Sequence, residues 1–187
     1  MAGGKRERLV EGARLAFHEN GVEATTLADV AAIAEVPVGN VYYYFKTKHA
    51  LVEAVIADHA RLVSEALDGL DGQRGPRERL KAFVAAFAGN GAMAARFGCP
   101  QGTLCSELDK QSGDLRVACS ELMRLPIDWA RRQFEALGRT DADELAHALI
   151  AAYQGMSLLT NTFGDPALIQ REGKRLDRWI DSLAETS

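Results

Sequence analysis

Apolar residues recur along the chain with the three-to-four spacing of amphipathic helices, and no segment alternates as a convincing strand would. Between residues 5 and 19, Leu9, Ala13, Ala16 and Phe17 share one face, and Asn20-Gly21 ends the run, since glycine accepts the backbone that closes a helix. Thr26-Leu27-Ala28-Asp29 reads as a capping box with Asp in place of Glu, opening a short helix to about Ala34. Pro37 suits a first helical turn and predicts a third short helix to about Tyr44. Thr47 caps a long fourth helix carrying Leu51, Val55, His59, Leu62, Ala66 and Leu70.

Asp71-Gly72-Gln73-Arg74-Gly75-Pro76 is the clearest break, and Pro76 starts a helix with Leu80, Phe83, Val84 and Phe87 inside. Residues 89–100 are glycine-rich and predict interrupted structure, with helical patterning returning over 101–110 and from Asp114 to Leu137. Pro126 removes the hydrogen bond to the Leu122 carbonyl and predicts a kink or break there. In the last third, Leu145, Leu149, Ala152, Met156, Leu159 and Phe163 alternate steps of four and three, a heptad seam with Asp141 and Glu144 as its N-terminal box. Asp165-Pro166 opens a final helix with Ile169, Gly173, Leu176, Ile180 and Leu183 on the same rhythm. The expected fold is all-α.

Composition changes this picture little. At 47% apolar and 26% charged residues the chain has the makeup of a soluble globular protein. No run approaches eighteen apolar residues, and the N-terminus lacks the apolar stretch and cleavage site of a signal peptide, so no membrane contact and a cytoplasmic location are expected. Three cysteines, Cys99, Cys105 and Cys119, are too few for a disulfide framework, and their spacing matches no zinc motif. No metal and no cofactor are expected.

The net charge of −4 gives no global sign of a nucleic-acid partner, and the first fifty residues balance six basic against six acidic side chains. Clustering matters more than the sum. Lys46, Lys48 and His49 form one basic cluster, and Lys5, Arg6 and Arg8 another.

Two short helices joined by a tight turn and braced by a longer one are the physical recipe for reading DNA, because the second helix fits a major groove. Here that helix is residues 38–44, where Gly39 allows close backbone approach, Asn40 can hydrogen-bond a base, and tyrosine hydroxyls can reach phosphates. Three of the four tyrosines lie in this one run. Tyr42 and Tyr43 are expected exposed, and Tyr44 or Phe45 is expected to turn to the core.

The segment GVEATTLADVAAIAEVPVGNVYYYFKTKHALVEAV resembles the DNA-binding domain of TetR-type regulators, including the terminal YYYF-x-(T/S)-K-x-x-L signature, over about residues 5–55. The resemblance implies that Thr26 and Lys48 contact phosphates while Val38, Gly39, Asn40, Tyr42 and Tyr43 face the groove. Lys46 joins this set as part of its basic cluster. Glu35 stands where the family has glycine at the tight turn, and a left-handed backbone there would cost a non-glycine residue roughly 1 kcal/mol. Pro37-Val38 replaces the family's Ser-Lys, which removes a possible phosphate contact. The run from Phe97 to Cys105 also resembles a Gly-Cys-x-x-Gly segment of some members.

By the same resemblance, residues 1–46 form a three-helix helix-turn-helix domain, and residues 47–187 a helical bundle that binds an effector and dimerises. The two terminal heptad helices agree, presenting more apolar seam than one small subunit needs. Their Leu145, Leu149, Ala152, Leu159, Phe163, Ile169, Leu176, Ile180 and Leu183 are the expected homodimer interface. Phe83, Phe87, Phe97, Leu104, Leu108, Leu122, Trp129, Tyr153 and Met156 are large apolar residues interleaved with predicted kinks, with Cys99 and Cys105 among them. They line either an effector cavity or an ordinary core. Cys99 is either an inert buried thiol or a sensor of electrophiles and oxidants, if Arg96 or a helix N-terminus stabilises its thiolate.

The expected partners are therefore a palindromic double-stranded DNA operator, a small-molecule effector and a second copy of the chain, as in a repressor released by its ligand. No catalytic residue is expected: the sequence has no H-E-x-x-H, no G-x-S-x-G and no phosphate-cradling glycine loop. A helical bundle without DNA binding is the remaining rival, against which the tyrosine-rich third helix argues.

Overall fold

The computed structural model describes residues 4–109 and 113–184. Among them it has ten helices and no strand: α1 Lys5–Asn20, α2 Leu27–Ile33, α3 Val38–Tyr44, α4 Lys48–Leu70, α5 Pro76–Gly89, α6 Gly91–Phe97, α7 Pro100–Leu108, α8 Gly113–Ala136, α9 Ala142–Phe163 and α10 Ala167–Ala184. No described helix is long and apolar enough to cross a membrane.

Two compact units are present, one of Met1–Leu62 with Pro100–Leu122, the other of Val63–Cys99 with Met123–Ser187. In the first, the predicted stripe of α1 is buried (Leu9, Ala13, Ala16, Phe17), joined by Val30, Val41, Phe45, Leu51 and Val55. Leu104, Leu108 and Leu122 are buried in this unit too. In the second, one apolar core joins Leu80, Val84 and Phe87 of α5, Trp129 and Phe134 of α8, Leu149 of α9, and Ile169, Leu176 and Ile180 of α10. Helix α10 comes so close to α5 that a Cβ built on Gly173 would stand 2.6 Å from the Ala88 Cβ.

One local expectation holds and two are corrected. Residues 89–100 are interrupted as expected, with breaks at Asn90 and at Gly98–Cys99 on either side of the short α6. Gly91 fits beneath the Pro166 carbonyl, which a Cβ would meet at 3.0 Å, and Gly98, at φ 75°, closes the helix with its N–H on the Ala94 carbonyl. Pro126 lies inside α8 without breaking it; the helix runs on to Ala136 around the one bond that proline cannot make. Asp141 stands at the N-cap of α9, but its side chain does not cap the helix, since the carboxylate is held instead by the Arg139 guanidinium at 2.9 Å through both oxygens.

Candidate nucleic-acid interface

Local chemistry fixes the ends of the short helices. The Thr26 hydroxyl accepts from the Asp29 N–H at 3.2 Å, and the Asp29 carboxylate accepts from the Thr26 N–H at 2.8 Å and hydroxyl at 2.6 Å. These bonds hold the Asp29 carboxyl below its ordinary pKa, the Thr26 hydroxyl contributing most. The preceding Thr25 is buried, and its hydroxyl donates to the Gly21 carbonyl at 2.7 Å, tying off the end of α1. The turn between α2 and α3 puts Glu35 at φ 51°, among the described residues the one non-glycine with positive φ. The expected left-handed backbone is therefore present at a residue with a Cβ.

Helix α3 then presents one wet face. Val38, Gly39, Tyr42 and Tyr43 are exposed, Tyr43 to 72%, and Asn40 is half-buried. Val41 is fully buried beneath them. Phe45, at 3% exposure, is the ring that turns inward, whereas Tyr44 stays 37% exposed and meets Tyr43 edge-on at 5.0 Å. The Arg6 guanidinium lies 5.3 Å from the Phe45 ring centre, joining the N-terminal basic cluster to the end of α3. Lys46 is exposed. Lys48 is half-buried, and its ammonium donates to the Glu23 carbonyl at 3.0 Å. His49 lies 3.6 Å from Glu53.

A further polar clamp has no signal in local spacing. Glu107 of α7 accepts the Val22 N–H at 2.8 Å and the Glu23 N–H at 2.7 Å, bracing the loop that enters α2. Deeper in the same unit, His59 of α4 is buried near Arg14, Asp58 and His18. Burial, then Arg14, pushes its pKa down to about 4, with Asp58 pulling the other way. A groove of about 590 Å³ runs between α1 and α4, lined by Arg6, Val10, Arg14, Ala54, Asp58 and Leu62 among others.

The proposed effector residues fall in both units. Leu104, Cys105, Leu108 and Leu122 belong to the first unit, and Phe83, Phe87, Phe97, Cys99, Trp129, Tyr153 and Met156 to the second. Within the second, the Phe83 ring packs 5.8 Å from Phe87 and 5.6 Å from Trp129, and Phe87 stacks on Tyr153 at 4.5 Å. Cys99 is buried, with the Tyr153 hydroxyl donating to its sulfur at 3.3 Å and the Gln154 amide at 3.5 Å. Burial first, and next Cys99, raises the Tyr153 pKa above its ordinary value. The Arg96 guanidinium lies over the Phe97 ring at 4.8 Å.

The residues of the expected dimer seam divide between core and surface. Leu149, Ile169, Leu176 and Ile180 are buried in the core of their own subunit, while Leu145, Ala152 and Leu183 are half-buried. Leu159 and Phe163 are exposed, Phe163 to 70%. At about 100° per residue, the chosen seam lies roughly a quarter turn from the centre of the buried face. The outward apolar strip of α9 is instead Ala148, Ala151, Gly155 and Leu158, with Leu158 65% exposed and open space where a Gly155 Cβ would stand. Small residues hid this strip, because the large ones define the pattern the eye follows.

Residues 9–55 match the family model described as bacterial regulatory proteins, tetR family. A curated relative, the HTH-type transcriptional regulator TtgR of Pseudomonas putida, is 29% identical across 95% of this chain and 88% of its own length. The HTH-type transcriptional repressor DhaR of a Mycobacterium species is 28% identical across 96% of this chain and 90% of its own. Among solved structures, a TetR transcriptional regulator from Legionella pneumophila superposes with a TM-score of 0.85 at 20% identity over 97% of both chains, a likeness of fold. Residues 9–55 thus carry the helix-turn-helix of the TetR family, and transcriptional regulators of this kind are similar to the chain along nearly its whole length.

Proposed function

We propose that the protein is a ligand-responsive repressor that binds a palindromic operator as a homodimer and leaves it when a small molecule binds. The observation that carries this reading is the exposed face of α3, where Val38, Gly39, Tyr42 and Tyr43 stand out over the buried Val41 and Phe45. Residues 1–46 serve as the reading head and 47–187 as the effector and dimerisation domain. The helix N-terminus and hydroxyls position the head on phosphates, with Thr26, Lys46 and Lys48 contributing, while Asn40 and the tyrosines meet base edges or backbone. A repressor role is supported by DhaR, which carries that description.

The dimer forms through the outward strip of α9, Ala148, Ala151, Gly155 and Leu158, extended by Leu159 and Phe163. Small side chains let two such helices approach closely, and a two-fold pairing sets two reading heads one DNA turn apart. The effector enters the second unit among Phe83, Phe87, Trp129 and Tyr153. It acts by favouring the conformation of α4 that does not fit the operator, since a ligand shifts an equilibrium only through its differential affinity. The protein works in the cytoplasm, where the DNA is.

An electrophoretic shift on the DNA upstream of the protein's own gene tests the reading. The unaltered protein is expected to form a sequence-selective complex, and Tyr43→Ala to weaken it by about tenfold or more, in line with loss of 1–3 kcal/mol of contact. A complex no tighter on that DNA than on a scrambled duplex refutes DNA-sequence reading by this head.

A further inference from the structure

We propose that Cys105 and Cys119 form a reversible dithiol–disulfide site for hydroperoxides, and that closing it loosens the grip of Glu107 on the entry to the helix-turn-helix. All of the residues involved lie in the first compact unit. The two cysteines sit on neighbouring helices, α7 and α8, and the Cys105 thiol lies 3.7 Å from the Cys119 carbonyl oxygen, to which it donates. The same thiol is a hydrogen-bond partner of the Cys119 thiol, whose pKa that bond lowers. One S–H proton serves either the carbonyl or the sulfur, so the Cys105 thiol sits beside Cys119 on the neighbouring helix. Cys105 is half-buried and Cys119 buried, which gives Cys105 the earlier meeting with a small oxidant.

The chemistry closes with one co-reactant. The Cys105 thiolate attacks a peroxide oxygen, the O–O bond breaks, and the sulfur leaves as a sulfenic acid while the released alkoxide takes a proton to become an alcohol. The Cys119 thiolate then attacks the sulfenic sulfur, forming the S–S bond, and the displaced hydroxide leaves as water after taking the second thiol proton. Two thiols have lost two electrons to one hydroperoxide. A thiol reductant reverses the bond by exchange.

Glu107 makes this chemistry consequential. It lies two residues beyond Cys105 on the last turn of α7, and its carboxylate accepts the Val22 and Glu23 N–H groups at 2.8 and 2.7 Å. Bonds to an ionised acceptor are the stronger kind, and they depend on distance. A disulfide holds its sulfurs about 2.05 Å apart, well inside any thiol hydrogen bond, so forming it draws α7 and α8 together at this point. The strain reaches Glu107, which lies about half a helical turn beyond Cys105. The effect on operator binding rests on the function proposed above; the disulfide and the loosened loop do not.

The experiment uses the whole protein treated with hydrogen peroxide, followed by thiol blocking and peptide mapping without reductant, alongside hydrogen exchange read at Val22 and Glu23. A peptide pair joining Cys105 to Cys119, cleaved by dithiothreitol, is expected, with exchange at the two amides at least about tenfold faster. Cys105→Ser and Cys119→Ser should abolish both effects, whereas Cys99→Ser should leave them intact. Glu107→Gln should give the faster exchange without peroxide. Peroxide that leaves the pair reduced, or that links Cys99 instead, overturns the site. A Cys105–Cys119 bond with unchanged exchange at Val22 and Glu23 overturns the coupling. Protein that forms the bond and frees the loop yet never binds DNA selectively would sink the function proposed above and leave this site standing.

Discussion

The two units of the molecule both have apolar cores and differ in what stands out beside them. In the first, directed polar contacts fasten the chain at points: the Thr26–Asp29 box, the Thr25 hydroxyl on Gly21, the Glu107 carboxylate on two N–H groups, and a buried neutral His59. In the second, close packing is more prominent, through stacked rings at Phe83, Phe87, Trp129 and Tyr153 and a glycine that lets α10 lie on α5. A directed contact is released by one proton or one new bond, whereas a packed core yields only when atoms are removed. The unit that carries the reading head is therefore the one that solution chemistry can address.

The contrast breaks most sharply at Trp129, which is 1% exposed and whose indole N–H donates to Asp71 at 3.2 Å. Trp129→Ala should destabilise the protein by about 3–5 kcal/mol in urea unfolding, by an amount that does not change between pH 7 and 5. A loss below about 1 kcal/mol would mean the ring is not a keystone of the second unit. The matching test in the first unit is pH. His59 titrates at about 4 in the folded chain against 6.5 as its ordinary value, so the unfolded chain takes up the proton first as pH falls. The stability it contributes is complete above about pH 6.5 and is lost through the window down to about 4. From pH 7 to 5 that amounts to about 2 kcal/mol, and His59→Leu should flatten this part of the profile; an unchanged slope in the variant would assign it to other groups.

Thr26→Ala should cost about 1 kcal/mol, measured as a lower urea midpoint, because two N–H groups at the start of α2 lose their partner arrangement. If the midpoint does not move, the capping box is not a fastening of this unit. Smallest is Glu35→Gly, which relieves the φ of 51° but loosens the unfolded chain. The net change should be a gain of less than about 1 kcal/mol, and a loss of that size would show the Glu35 side chain making a compensating contact.

What the sequence made legible was local. The helix ends at Asn20, Thr26 and Pro37 each follow from a residue acting within one turn of itself, and the structure places α1, α2 and α3 where those signals put them. The choice between Tyr44 and Phe45 turned on where the helix ends, since Phe45 lies just past α3 on extended backbone with its ring turned inward while Tyr44 stays on the helix. Contacts that join distant segments left no trace in spacing: Glu107 and Val22 are 85 residues apart, and a glutamate in a helix has no pattern that announces its partner. Asp141 misled for a related reason, since a capping position says nothing of an arginine two residues earlier competing for the same carboxylate. On α9 the heptad spacing did not separate core from surface, because alanine and glycine carry little hydropathy and yet form the outward strip.

The wet face of α3 also sets how the proposed complex would respond to ions. Its exposed polar atoms are neutral hydroxyls and a backbone opened by Gly39, and of the two lysines beyond it Lys48 already serves the Glu23 carbonyl. Each phosphate neutralised by a cation releases condensed counterions and adds about 0.9 to the slope of log affinity against log salt concentration. A groove face that grips through hydroxyls displaces few of them and leaves that part to Lys46 and the Lys5, Arg6 and Arg8 cluster. Its hold on DNA would then be shallow in its dependence on ionic strength, and selectivity would survive changes in cellular potassium that strip more basic regulators from their sites.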